Sequence, residues 1–210
     1  MQFLPVAAAG LHRHDLLLTV ALHPGMLLSP EVCGSVDRAH VMTYDMVDKE
    51  KAHGHHASLR ATHEAIAKFV GGGCPPAKLI LGIPAYGRHG ENMNQVKTYA
   101  EVVDEVLEKA GHDDVSEILR SLRTWKGYRF DAPDDVRAKV EYARDNGLGG
   151  VFLWELGQDK QAAGVAEGGV LLEAAAAAAA AVASTARRGR GWRDGTSSRQ
   201  GRTLRGSRTL

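Results

Sequence analysis

Cysteine is scarce in this chain and long apolar runs are missing. Cys33 and Cys74 are the only two cysteines in 210 residues. Two thiols cannot form the multi-bridge framework of a small disulfide-rich scaffold. One Cys33–Cys74 bridge and two inert buried thiols both fit the sequence, and the thiols are the favoured expectation. No apolar run approaches the ~18 residues of a membrane-spanning helix, so no membrane partner is expected. The opening MQFLPVAAAGLHRHD lacks a basic start, and Pro5 interrupts its apolar piece, so it is not read as a signal peptide. Residues 1–15 are expected to be a ragged N-terminus. Charge of either sign is nearly balanced, at a formal net +1, but it is unevenly placed. Residues 187–210 hold eight Arg against one Asp, which leaves residues 1–186 net acidic. An acidic body argues against nucleic acid as the ligand.

What is present reads as one soluble domain, with 44% hydrophobic and 24% charged residues. LLLTVAL (16–22), RAHVMTY (38–44), KLILGIP (78–84) and GGVFLWE (149–155) are short apolar runs bounded by breakers, the signature of strands buried on both faces. Between them, residues 56–70, 98–110 and the run opening at Pro133 carry apolar residues at helical spacing. Gly71-Gly72-Gly73, Gly111 and Gly147 stop them. Residues 115–122 predict a further short helix, so 89–130 reads as a helical insertion. Strands alternating with helices predict an α/β fold with a parallel sheet covered by helices.

Each strand from the second onward ends in aromatic, charged or polar groups: Tyr44-Asp45, Tyr86-Gly87-Arg88 and Trp154-Glu155. In parallel α/β folds the ligand site lies beyond the carboxyl ends of the strands. These groups are therefore expected to converge, and flat aromatic faces beside hydrogen-bonding groups suit a sugar. His53, His55, His56 and His63 crowd one stretch, but imidazoles without an ordered frame are usually solvated, and no metal or cofactor is expected. Beyond Gly164 the pattern fades. The eight alanines at 174–181 favour helix without an amphipathic pattern. Residues 164–210 are expected to be a low-complexity, disordered tail, and its Arg/Gly end a solvated segment rather than an RNA-binding one.

Three segments together resemble glycoside hydrolase family 18, the chitinase family. VDRAHVMTYDM resembles the family's Met-x-Tyr-Asp strand. KLILGIPAYGR resembles the next strand with its Tyr-Gly-Arg end. FDAPDDVRAKVEYARDNGLGGVFLWELGQD resembles the closing helix and last strand with its Trp. The resemblance covers about residues 16–160, and MQFLPVAAAGLHRHD is read as unrelated to it. It implies a partial (β/α)8 TIM barrel, with strands five to eight and their covering helices within residues 16–163. A whole barrel of this kind takes ~250 residues.

The resemblance also implies roles. The family hydrolyses β-1,4-linked N-acetylglucosamine polymers by a substrate-assisted retaining mechanism, in which the sugar's acetamido oxygen attacks its own anomeric carbon. Tyr44 would bond the acetamido carbonyl, and Asp45 would contact hydroxyls or polarise the site. Met42 would pack beneath the sugar and Trp154 would form its floor. Tyr86 and Arg88 would line neighbouring positions, and Glu155, alternating away from Trp154, would be structural. The family's proton-donating Glu stands in an Asp-x-x-Asp-x-Asp-x-Glu motif, and that pattern does not occur in this sequence. The expected function is therefore a chitinase-type hydrolase fragment, inactive as this chain. The alternative is a non-catalytic chitin-binding relative. The expected ligand is chitin or an N-acetylglucosamine oligosaccharide, the expected location extracellular or secretory, and self-association through open sheet edges is anticipated.

Overall fold

Four apolar segments line up in parallel: β1 (Thr19–Leu22), β2 (Arg38–Val41), β3 (Leu79–Pro84) and β8 (Gly150–Trp154), in the order β1-β2-β3-β8. The computed structural model describes residues 3–46, 54–110, 116–161 and 169–190. All pairings within this sheet are parallel and in register, with Ala39 opposite Leu79 and Gly82 opposite Phe152. The four strands lie where the sequence pattern puts them, and α3 (Leu59–Gly71), α4 (Tyr99–Ala110), α5 (Ser116–Ser121) and α6 (Pro133–Asp145) match the expected helices.

One face of the sheet is the core. Ala39, Val41, Leu79, Leu81 and Ile83 are buried and pack with Ile66 and Phe69 of α3 and with Val136 and Val140 of α6. Alternation sends the intervening residues to the other face. There His40 and Tyr44 make edge contacts with Phe152, at ring-centroid distances of 5.3 and 6.3 Å. Gly82 makes this packing feasible. A Cβ there would lie 2.9 Å from Tyr44 and from Phe152 and 2.8 Å from the Val41 carbonyl. Toward β1 the same face opens, with Thr19, Ala21 and Arg38 exposed.

Several expectations need correction. Residues 1–15 do not form a ragged start: Phe3–His12 is a helix, α1. A short helix, α2 (Pro30–Ser35), follows β1, capped by the Ser29 hydroxyl on Val32 N–H. The 89–130 insertion is not only helical. It contributes β5 (Val96–Thr98), β6 (Thr124–Trp125) and β7 (Tyr128–Arg129), which join β4 (Tyr86–His89), at the insertion's start, in a second, antiparallel sheet of order β5-β4-β7-β6. These strands are too short for a period-2 pattern to register in sequence.

The alanine run is also not a loose tail. It belongs to α7 (Val170–Arg190), which lies against α6. Leu171, Ala174 and Ala178 are buried at a spacing of three and four, a narrow stripe that small side chains can form as well as large ones. The Asp159 carboxylate accepts from the N–H groups of Leu171 and Leu172 and so caps the helix start. Residues 191–210, with most of the Arg/Gly segment, lie outside the described residues.

Cys33 and Cys74 are bonded to each other, which overturns the expectation of free thiols. Their Cα atoms lie 5.3 Å apart, across 41 residues of sequence. The bridge joins α2 to the turn after α3, a proximity only the fold creates. Closing a loop of this length corresponds to about 4 kcal/mol in the chain-entropy treatment. Cys33→Ser is therefore expected to lower the unfolding free energy by about 3–4 kcal/mol in urea titration, and thiol assay of the unreduced wild type to find no free sulfhydryl.

Candidate active site

The carboxyl ends of β2 and β8, the start of β4 and the approach to β5 surround a cleft of about 370 Å³. Its walls are Met42, Tyr44, Asp45, Tyr86, Arg88, Val96, Trp154 and Gln158. All six residues expected from sequence are there. Val96 and Gln158 were not foreseen. Val96 comes from the unpredicted second sheet, and Gln158 follows Trp154 in a single 3-10 turn (Leu156–Gln158). The only sequence signal for Gln158 is its place four residues after the Trp. Its Oε1 is buried without a hydrogen-bond partner. Glu155 does not line the cleft.

Regular β2 ends at Val41, before Met42 and Tyr44, and the chain then turns sharply. The amide of Tyr44 donates to Met42 O at 2.7 Å, and Asp45 takes a left-handed conformation with φ 55°. Asp tolerates that region better than most residues. The turn presents the Asp45 carboxylate to three neighbours. Arg88 grips it with two prongs, Nε on Oδ1 and a second nitrogen on Oδ2 at 2.6 Å. The Tyr86 hydroxyl donates to Oδ1 at 2.8 Å. The His56 ring stands 3.3 Å from Oδ1. Arg88 is steadied from behind by the Met93 carbonyl at 2.6 Å. The polar ends of Tyr86 and Arg88 are thus committed to Asp45.

Burial alone would raise the Asp45 carboxyl. Its contacts with His56, Arg88 and Tyr86, and the Arg88 charge, outweigh burial and hold it well below the usual carboxylate range. Burial, with a smaller effect of the Asp45 charge, pushes the Tyr44 phenol up to about 12, so it stays a neutral hydroxyl. Burial raises the Tyr86 phenol as well, helped by its bond to Asp45. Trp154 is half exposed, an indole face open to the cleft. The cleft can therefore orient a neutral polar ligand against an aromatic face. Its single carboxyl among the described lining residues is ionised and so does not donate a proton as a general acid must.

The histidine stretch departs from expectation. His56 is buried, not solvated, and His55 stacks on it with centroids 5.6 Å apart. His55 reaches toward Asp131 at 3.6 Å, and burial lowers its proton affinity. Asp131 pairs with the fully buried Lys139 of α6, whose Nζ also donates to Ala57 O at 2.7 Å. His53 lies outside the described residues. Among the described residues no group of three or more His, Cys, Asp or Glu is placed to hold a metal.

Fold and site together define a class: a parallel α/β sheet with an aromatic, sugar-sized cleft at its strand ends, carrying an Arg-held carboxylate. The family follows from comparison with known proteins. The model of glycosyl hydrolases family 18 matches residues 4–159, and the chain belongs to that family. The match includes α1, so the N-terminal segment is not unrelated to the family as expected from sequence. Endochitinase 1 of Metarhizium robertsii is 31% identical over 155 residues, covering 60% of this chain and 37% of that protein. Class V chitinase CHIT5 of Lotus japonicus is 32% identical over 123 residues, covering 48% of this chain and 30% of that protein. Among solved structures, the GH18 chitinase ChiB of Flavobacterium johnsoniae superposes with a TM-score of 0.69 at 24% identity, over 86% of this chain and 55% of that one. The chitinase-like agglutinin of Robinia pseudoacacia gives 0.61 at 24% identity, over 84% and 61%. The chain thus spans a little over half the length of these solved relatives and under half that of the curated ones. The four parallel strands are a partial TIM barrel.

The electrostatics of Asp45 carry a pH dependence. Its folded-state proton affinity lies below the ordinary carboxylate value, so the stabilisation is complete above about pH 4 and is lost as pH falls through the folded value. Asp45→Asn is expected to lower the melting temperature by a few degrees at neutral pH. The gap to wild type should close on acidification, as read by thermal melts from neutral pH downward.

Proposed function

We propose that this chain binds N-acetylglucosamine oligosaccharides through the Tyr44–Asp45–Trp154 cleft and does not hydrolyse them by itself. One observation carries the reading. The residues to which the resemblance gives acetamido orientation and sugar stacking line one cleft, while the only carboxyl among its described walls is held ionised by Arg88 and Tyr86. Substrate-assisted hydrolysis needs positioned donors for the acetamido group and a protonated acid at the leaving oxygen. Tyr44 stays protonated and meets the first need. No group among the described walls meets the second. The Asp-x-x-Asp-x-Asp-x-Glu pattern is likewise not found in the sequence. Complexes of a Cycas revoluta GH18 chitinase with (GlcNAc)3 support the ligand class, and the Robinia chitinase-like agglutinin supports a binding role. The second reading is the substrate-orienting half of a chitinase whose acid comes from polypeptide beyond this chain. An extracellular or secretory location is favoured by the Cys33–Cys74 bridge, which persists in oxidising compartments.

Titration calorimetry with chitotetraose should detect binding. Trp154→Ala should weaken it by about tenfold, the equivalent of roughly 1.4 kcal/mol, and Tyr44→Phe by a smaller factor. Reducing-end assays should find no product at any pH. Turnover abolished by Tyr44→Phe would refute the non-catalytic reading, and no measurable binding would refute both.

The open sheet bears on assembly. Among the described residues β1 pairs only with β2 and β8 only with β3, so both edges of a parallel sheet lack a neighbour. Phe3, Val6, Leu16, Leu17, Met26 and Leu27, before and after β1 in the sequence, are large exposed apolar residues. Two four-stranded sheets related by a two-fold axis along the strand direction supply the eight parallel strands of a closed barrel. We infer a second copy of this chain as the occupant. Light scattering on the purified protein is expected to give a dimer, and a monodisperse monomer with a cooperative melt would exclude it.

A further inference from the structure

His56 packs against Asp45 and Tyr86 of the cleft wall and is 1% exposed. Its carbonyl accepts from the Met46 amide at 2.8 Å, which pins the turn after Asp45. Its ring then spans two strand ends. Nε2 lies 3.3 Å from the Tyr86 carbonyl. Nδ1 lies 3.2 Å from the Asp45 amide nitrogen and 3.3 Å from Asp45 Oδ1.

One form of the ring cannot satisfy all three neighbours. A carbonyl only accepts, so Nε2 carries a proton. The Asp45 amide only donates and needs a lone pair on Nδ1. The Asp45 carboxylate only accepts and needs a proton on the same atom. Neutral imidazole therefore serves the amide, and imidazolium serves the carboxylate. The tautomer follows from the hydrogen-bond network.

We propose that His56 is a proton-sensitive positioning residue: uncharged, it holds the left-handed Asp45 turn by its amide and leaves the carboxylate to the ligand; protonated, it releases the amide and takes Oδ1. Oδ1 already receives the Tyr86 hydroxyl and the Arg88 Nε. A third donor there saturates its lone pairs and draws the group away from the cleft. Acid thus weakens sugar binding without protonating Asp45 itself. The charged and titratable groups facing His56 are few. Asp45 lies at the end of β2, and Tyr86 and Arg88 come from β4, Arg88 acting through Asp45. On its own loop His55 stacks against it, backed by Asp131 and Lys139. Burial lowers the proton affinity of His55.

This inference rests on the cleft being a sugar site, and the test separates the two. Without ligand, the Asp45 amide resonance of the full chain is followed by two-dimensional NMR from about pH 8 to pH 5, the range in which imidazoles change charge. A single titration step is expected in wild type and none in His56→Asn, whose side-chain oxygen accepts from the amide but cannot be protonated. Chitotetraose affinity should fall by at least about threefold across the same step in wild type, the equivalent of roughly 0.6 kcal/mol. In His56→Asn it should stay level, whatever its absolute value. If the Asn variant does not fold, His56→Gln replaces it. An Asp45 amide that titrates alike in wild type and variant overturns the proposal, as does a wild-type affinity that is flat in pH. A wild type that shows the Asp45 step yet binds no oligosaccharide overturns the proposed function and leaves the His56 device standing.

Discussion

The two-pronged ion pair between Asp45 and Arg88 is the join on which the cleft depends. Asp45 stands in the turn that follows β2 of the parallel sheet, and Arg88 stands on β4 of the antiparallel one. The guanidinium fork matches a carboxylate in distance and angle, so the pair fixes orientation as well as proximity. Tyr86 adds a third bond to the same carboxylate from the same strand. Met42 and Tyr44 before the turn and Val96 on the neighbouring strand are aligned because this join holds the two sheets in register.

Behind the cleft lies a second, more deeply buried polar system. Lys139 and Asp131 are enclosed, and such a pair contributes little net stability while being costly to break on one side only. Its value here is positional. Lys139 also donates to the Ala57 carbonyl, and Asp131 faces His55, so α6 holds the 55–57 segment that carries His56 to the cleft. The geometry of Asp45 is thus set from the front by Arg88 and Tyr86 and from behind through α6.

The same interactions constrain the chemistry. A carboxyl surrounded by donors is an acceptor and an electrostatic anchor, while a proton donor needs the opposite environment. Asp45 has the first kind. Beside an open indole face and a neutral phenol, it is an acceptor and not a proton donor, which is what the proposed binding role requires of it.

The sequence by itself determined the four apolar strands, the helices that cover them and the residues at the strand ends, because apolar periodicity and breakers encode these locally. Tyr44, Asp45, Tyr86, Arg88 and Trp154 were legible as strand-end residues for that reason, and the family was legible separately, through the resemblance of three segments to its motifs. What only the tertiary structure decided depends on contacts between distant segments. The Cys33–Cys74 bridge, the 3.3 Å approach of His56 to Asp45 and the placing of Val96 and Gln158 in the cleft link residues that no local pattern relates. The antiparallel sheet was invisible because its strands run two to four residues. The alanine helix was misread because its buried stripe consists of one leucine and side chains a single methyl in size, and burial of small residues leaves almost no hydropathy contrast to read.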